Sequence, residues 1–346
     1  MLYAATRSKN DVETAYKTIH QDCCGDGGLF VPFRMPSYTV SEIVALANKS
    51  FGQNVADILN TFFSVGLTGW DVEFAIGRMP LKIDSISHRI LIAEWWHNSQ
   101  WRFDHLVQAM SDRLRTENQG SEPTNWVQIA VRIAVLFGTY GMLLSNGQTE
   151  VNTVLDVAVT SGDFAMPMAV WYARQMGLPI GNIVCGCNAN GSVWDLLHKG
   201  EMPTSDMATK TCTPDVDIAL PRNLERLICG TLGHEEVCRY LDCCRTGALY
   251  VPGEEDFERL HSGMFASVIS DERVQSSIYS VARTSGYVFG PYSALGYCSL
   301  LDYRAKTSES RNALLITERS PSCDVELVAK FMQVDVPEVF RRISNK

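Results

Sequence analysis

The chain of 346 residues, 46% hydrophobic and 20% charged, has the balance of an ordinary globular protein. It is long enough for two domains or for one large α/β domain with additions. Its net charge of −9 leaves no cation excess to replace phosphate counterions, which excludes nucleic acid or an anionic membrane as the main partner. The N-terminal MLYAATRSKND lacks the basic-then-apolar layout of a signal peptide. With no uninterrupted apolar run of about 18 residues to span a bilayer, a cytoplasmic protein is the expectation.

In chain order, residues 11–19 and 40–48 carry apolar side chains at helical spacing, with the glycine-rich turn GDGGLFVP between them. RILIAE (89–94) reads as a short buried strand. Residues 101–114 place Phe103, Leu106, Val107, Met110 and Leu114 on one face of a helix. A long, very apolar helix starts at Trp126. TVLDVAVTSG (153–162) is a near-continuous apolar run, as suits a central parallel strand buried on both faces. The helix FAMPMAVWYARQMG, the strand NIVCGC and the helix GSVWDLLHKG follow, which is the βαβ pattern. The C-terminal third reads as helical with one late strand, NALLIT (312–317). No Pro/Ser/Gly linker interrupts the chain, so an N-terminal segment (1–90) is expected to pack on an α/β core (91–346).

Eleven cysteines are an odd number, and none is arranged as CxxC. Zinc sites usually draw on such pairs, so no metal is expected, and most thiols read as small buried apolar groups. Cys187 differs by position: with Asn188 and Asn190 it ends a strand at the carboxyl edge, where open α/β sheets bind ligands. It is a weak nucleophile candidate, needing a histidine in reach.

Seven strings, YAATR (3–7), DGGLFVP (26–32), TNWVQI (124–129), TSGDFAMPMAVWYARQMGLPI (160–180), CNANG (187–191), PDVDIALPRNLERLI (214–228) and GYVFGPYSALGY (286–297), stand in the order of similar strings in threonine synthase. The chain resembles that family over nearly its whole length. The resemblance implies the tryptophan-synthase-β-like fold of type II pyridoxal phosphate (PLP) enzymes, a parallel-rich sheet flanked by helices. It also implies conversion of O-phosphohomoserine to threonine.

Three departures bear on that chemistry. In the family the stretch matching residues 94–109 reads ELFHGPTLAFKDFALQ, with the Schiff-base lysine just after the phenylalanine. Aligned through Glu94, His97 and Phe103, that position is Asp104, and a carboxylate cannot condense with an aldehyde. No lysine occurs between Lys82 and Lys199, and Lys82 reads as a whole element upstream of the site. The phosphate-cradling SGNFG turn is here Ser161-Gly162-Asp163-Phe164-Ala165. Asp163 is expected to cap the next helix and take the N–H groups that phosphate would otherwise use. Finally, TENQGSEP replaces the units that build the family's smaller domain, which reads as largely deleted near 115–124.

His97, Asn98 and Ser99 replace the HGPT loop and could hold the carboxylate of a small amino-acid-like ligand, or simply make a polar turn. Thr317 matches the family position that contacts the pyridine nitrogen; without cofactor it is a strand-end hydroxyl. Arg226 with Glu225 reads as a surviving helix-start motif. The expectation is a chain without PLP, a binding or regulatory pseudoenzyme. The alternatives are a PLP-independent enzyme using the opened cleft, and a PLP-dependent threonine synthase. An uncovered apolar face carrying Trp95, Trp96, Trp101 and Trp126 would be buried by a homodimer or a partner enzyme.

Overall fold

The apolar runs become strands of one six-stranded sheet in the computed structural model, which describes residues 1–8, 12–77, 81–87, 89–96, 103–114 and 125–344. Strands β1 (Leu2–Ala5), β2 (Val12–Thr14) and β3 (Phe30–Pro32) form a separate small antiparallel sheet. The large sheet contains β4 (Lys82–Ser87), β5 (Ile90–Glu94), β6 (Leu155–Thr160), β7 (Ile180–Cys187), β8 (Met264–Val268) and β9 (Ala313–Thr317). Their order is β4-β5-β9-β6-β7-β8. Every pairing is parallel except that of β4 with β5. Central strands buried on both faces need no polar alternation, and every residue of ALLIT in β9 is buried.

Two helical layers cover the sheet. On one face lie α5 (Phe103–Leu114), α6 (Trp126–Ser145) and α7 (Ala165–Gln175), joined by the N-terminal helices α1 (Ala15–His20), α2 (Val40–Ala45), α3 (Phe51–Phe63) and α4 (Gly69–Ile76). Beyond α7, α8 (Ser192–Lys199), α9 (Leu224–Leu232), α10 (His234–Thr246) and α11 (Glu254–His261) complete that layer. The second face is covered by α12 (Asp271–Thr284), α13 (Pro291–Thr307), α14 (Val325–Met332) and α15 (Val336–Ser344). Helix α6 is long and apolar enough to cross a membrane by length and composition, yet 83% of its most apolar window is buried inside the fold. Its packing partners are α3, α5 and α7, which is what a central core helix requires.

Several expectations need correction. The C-terminal third holds two strands, not one: β8 was missed because MFASV is short and interrupted by small residues. Residue 90 is not a structural boundary, since β4 belongs to the main sheet and pairs with β5. Trp95 and Trp126, expected at an uncovered face, are both fully buried. Trp126 packs edge-on against Phe62 and Tyr172. Trp96 is partly buried, and Trp101 lies outside the described residues. The exposed aromatic pair is instead Trp70 and Phe74 on α4, at 71% and 95% exposure.

The N-terminal sheet is held to the core by α9. Arg226 is fully buried; its Nε donates to the Phe30 carbonyl in β3 (3.0 Å) and its Nη1 donates to the Asn223 side chain. The guanidinium lies over the Trp126 ring, 5.8 Å from the centroid. Burial pushes its pKa down to about 10, so it remains charged at neutral pH. Beside it, Glu225 accepts two bonds of 3.1 Å from Arg7 and one from the Thr6 hydroxyl. Replacing Arg226 with Leu would leave the Phe30 carbonyl and Asn223 oxygen without their donor. We expect a loss of about 2–5 kcal/mol in the denaturant-unfolding free energy, with Arg226→Lys intermediate because an ammonium lacks the planar fork.

Candidate functional site

The carboxyl ends of β6 and β9 are neighbours in the sheet and open onto a cleft of about 390 Å³. Thr160, Gly162 and Asp163 line one side; Ile316, Thr317 and Glu318 line the other. Two arginines reach this cleft, and carboxylates hold both. Arg132 on α6 donates to Glu318 at 2.9 Å. Arg319 donates to Asp324 at 2.8 and 3.1 Å, to Asp215 at 3.1 Å, and lies over the Tyr292 ring. With Asp163 on the wall, an incoming anion would meet more carboxylates than uncommitted cations.

The turn before α7 is built from two left-handed residues, Gly162 (φ 43°) and Phe164 (φ 68°). Such a φ is costly for a bulky aromatic, so the fully buried Phe164 ring must hold the turn in place. Phe164, rather than Asp163, occupies the N-cap position; the capping function nevertheless comes from Asp163, whose Oδ1 accepts the Ala165 N–H at 3.0 Å. A helix start leaves four N–H groups open. Here Phe164 N–H donates to the Ser161 carbonyl (2.7 Å), Ala165 N–H is taken by Asp163, and Pro167 has none. Of these helix-start N–H groups, that of Met166 remains. The other Asp163 oxygen accepts from Asn223 Nδ2 at 3.1 Å, tying this turn to the start of α9.

The remaining candidate residues at the carboxyl edge are engaged with their own chain. Thr317 donates its hydroxyl to the Ala93 carbonyl (3.1 Å) and accepts from the Trp96 indole N–H (3.0 Å). Asn188 donates to Thr211, Thr213 and Asp217 at 2.7–3.1 Å and accepts from the Asn190 backbone and side chain. Asn190 in turn exchanges bonds of 2.7 and 2.8 Å with the Thr209 backbone. The pair is a clamp on the 209–217 loop rather than an open ligand surface. Cys187 is fully buried, and desolvation pushes its thiol up to about 11, which argues against a nucleophile. His97, Asn98 and Ser99 lie outside the described residues, as does the side chain of Asp104, whose backbone falls within α5.

Sequence reasoning misplaced Lys82. Because β4 runs antiparallel to β5, Lys82 pairs with Glu94 at the carboxyl end of β5 rather than an element away. Its ammonium stands 3.5 Å from Asp84. Glu94 is buried and accepts from the Tyr287 hydroxyl at 2.6 Å, and beside that carboxylate the phenol is raised well above its usual pKa, with burial the larger cause. Hairpin geometry is the signal that could have located Lys82: two short strands joined by a tight turn place the first residue of one beside the last of the other.

The comparisons agree with this architecture. The family described as "Threonine synthase N terminus" matches residues 2–76. The threonine synthase-like 1 protein of Homo sapiens is 25% identical over 181 residues, 49% of this chain and 23% of that protein. The threonine synthase of Pseudomonas aeruginosa is 25% identical over 189 residues, 53% of this chain and 38% of that protein. The matched region thus spans well under half the length of these curated relatives. The chain is thus similar to threonine synthases, by the family match at its N-terminus and by these partial relatives. Two solved members share its fold: yeast threonine synthase, at a TM-score of 0.83 and 16% identity over 96% of this chain and 90% of that one, and PLP-bound threonine synthase from Brucella melitensis, at 0.81 and 18% over 96% and 92%.

Set against the threonine synthase site, the described residues fit PLP poorly. The turn that should receive the phosphate holds a carboxylate, Pro167 follows it in the first turn of α7, and the single Thr317 O–H is already given to the Ala93 carbonyl. Asp163→Ala should destabilise the chain by about 0.5–2 kcal/mol, read from thermal or urea unfolding, because it uncaps α7 and removes the tie to Asn223. Added phosphate should not restore the loss; a variant as stable as the wild type would show that Asp163 carries neither role.

Proposed function

We propose that this chain keeps the threonine synthase fold but has lost PLP lyase chemistry, and acts as a non-catalytic binding or regulatory relative of the enzyme. The observation that carries the reading is the turn and helix start of residues 161–167, where Asp163 occupies Ala165 N–H and Pro167 removes a further donor. The sequence supports it through Asp104 at the Schiff-base position and through the lysine-free interval of residues 83–198. Only eleven residues, 115–125, join α5 to α6. Eleven residues are too few for a βαβ unit of about 30 residues, which supports the reading that this connection lacks the family's smaller domain.

Lysine chemistry is the decisive test, because Lys82 and Lys210 both stand near the carboxyl edge. Lys82 lies opposite Glu94, and Lys210 lies between two threonines bonded to the Asn188–Asn190 clamp. The purified protein should be colourless, and incubation with PLP followed by borohydride should leave no single dominant pyridoxyl-lysine in a peptide map. One stoichiometric adduct, on Lys82, Lys210 or any other lysine, would overturn the proposal and identify the substitute amine.

A further inference from the structure

The cleft at the carboxyl edge has a second helix start on its wall, and this one is open. Helix α13 begins behind Gly290, which has no side chain to cap it, and Pro291, which has no N–H. The Ala294 N–H returns to the Gly290 carbonyl at 3.1 Å, while the N–H groups of Tyr292 and Ser293 find no acceptor among the described residues. The Ser293 hydroxyl stands with them. Ser293 is only 5% exposed and lines the cleft, and its Oγ has no hydrogen-bond partner among the described residues. Side chains this deeply buried are bonded to something as a rule, so an unanswered hydroxyl beside two unanswered amides points to an acceptor supplied from outside the chain.

Charge on the walls is already balanced. Arg132 is held by Glu318, Arg319 by Asp324 and Asp215, and Asp163 by the Ala165 N–H and Asn223. A charged occupant would give up hydration without finding an uncommitted counter-charge, whereas a neutral carbonyl oxygen needs only the donors that stand free. Glu318 and Asp215, on the same walls, each give one oxygen to an arginine and can accept a donor at the other. Met166, Val216 and Ile316 add apolar surface. A group that accepts at one atom and donates at the next, carried on a short aliphatic body, matches this lining, and a primary carboxamide is such a group.

We propose that this cleft binds a small neutral aliphatic molecule through a primary carboxamide. The carbonyl oxygen takes the Tyr292 and Ser293 N–H groups and the Ser293 hydroxyl, and the amide NH2 donates to a wall carboxylate. The ligand thus sits at the start of α13 and leaves the capped start of α7 undisturbed. This inference rests on the reading that the chain binds without PLP, since PLP would fill the same cleft. The two fail separately: a stoichiometric pyridoxyl-lysine removes that reading, whereas a colourless protein indifferent to carboxamides removes only this one.

The test is a titration of the whole chain, carrying isotope-labelled tyrosine and serine, with propionamide. The amide resonances of Tyr292 and Ser293 should move and saturate in the NMR spectrum. Propionate has the same size but a charge, and N,N-dimethylpropionamide keeps the carbonyl but cannot donate. Each should bind about three- to tenfold more weakly than propionamide, and Ser293→Ala should weaken propionamide by a similar factor, the contribution of one neutral hydrogen bond. Removing a hydroxyl that bonds to nothing in the chain should leave the unfolding midpoint of that variant at the wild-type value. The proposal is overturned by the absence of saturable movement at these two resonances, by either analogue binding as tightly as propionamide, or by a Ser293→Ala variant that binds unchanged or unfolds earlier.

Discussion

A guanidinium buried among neutral oxygens organises the junction on which the rest of this fold depends. Arg226 sits at full burial, bonded to the Phe30 carbonyl and to Asn223, with Trp126 beneath it. Asn223 is bonded in turn to Asp163 at the start of α7. One side chain therefore couples the N-terminal sheet, α9 and the turn at the carboxyl end of β6. A buried charge is costly to desolvate, and the cost is offset only where each of its donors finds an acceptor. Elements that must converge to supply those acceptors lock one another's positions. The neighbouring Glu225 repeats the arrangement with opposite sign by collecting Arg7 and Thr6 from the N-terminal strand.

This coupling explains why the site turn has kept its shape while its chemistry differs from the family pattern. Gly162 and Phe164 hold left-handed geometry at this turn, and the Asp163 carboxylate takes the Ala165 N–H. The turn is required by α9 and Arg226 whether or not a ligand is present. Polar groups at the end of a sheet must be satisfied by something, and here the chain supplies the partners itself: Asp163 for the helix amides, Trp96 for Thr317, and the 209–217 loop for Asn188 and Asn190.

The strands with continuous apolar runs, β5, β6, β7 and β9, and the helices α5 to α8 were legible in the sequence because their periodicity follows directly from which faces are buried. The turn at 161–165 and its capping aspartate were legible for a local reason: an aspartate two residues before a helix can hardly avoid the helix amides. What stayed hidden depended on distant partners. Nothing near Trp95 or Trp126 in sequence announces that Tyr3, Phe62 and Tyr172 close over the Trp126 ring. The antiparallel pairing of β4 was hidden because KIDSIS mixes charge, hydroxyl and isoleucine on a half-exposed edge, a pattern that reads as loop. Its consequence, Lys82 opposite Glu94, is a relation between strands and not a property of either segment.

A cofactor that binds only the folded state adds stability of about RT ln(1 + [L]/Kd), roughly 4 kcal/mol at a thousandfold excess over Kd. A chain that no longer holds the cofactor must recover that stability, or tolerate its loss. The carboxyl edge of this sheet offers the means. A typical net hydrogen bond contributes about 0.5–1.5 kcal/mol. The contacts made by Asp163, Thr317, Asn188 and Asn190 add up to a contribution of that order from the chain itself. Such contacts also oppose binding at this turn, since an entering anion must displace a carboxylate that already satisfies the helix start. The two effects are the same physical fact seen from either side: residues that make the edge stable without a ligand are those that oppose the entry of one.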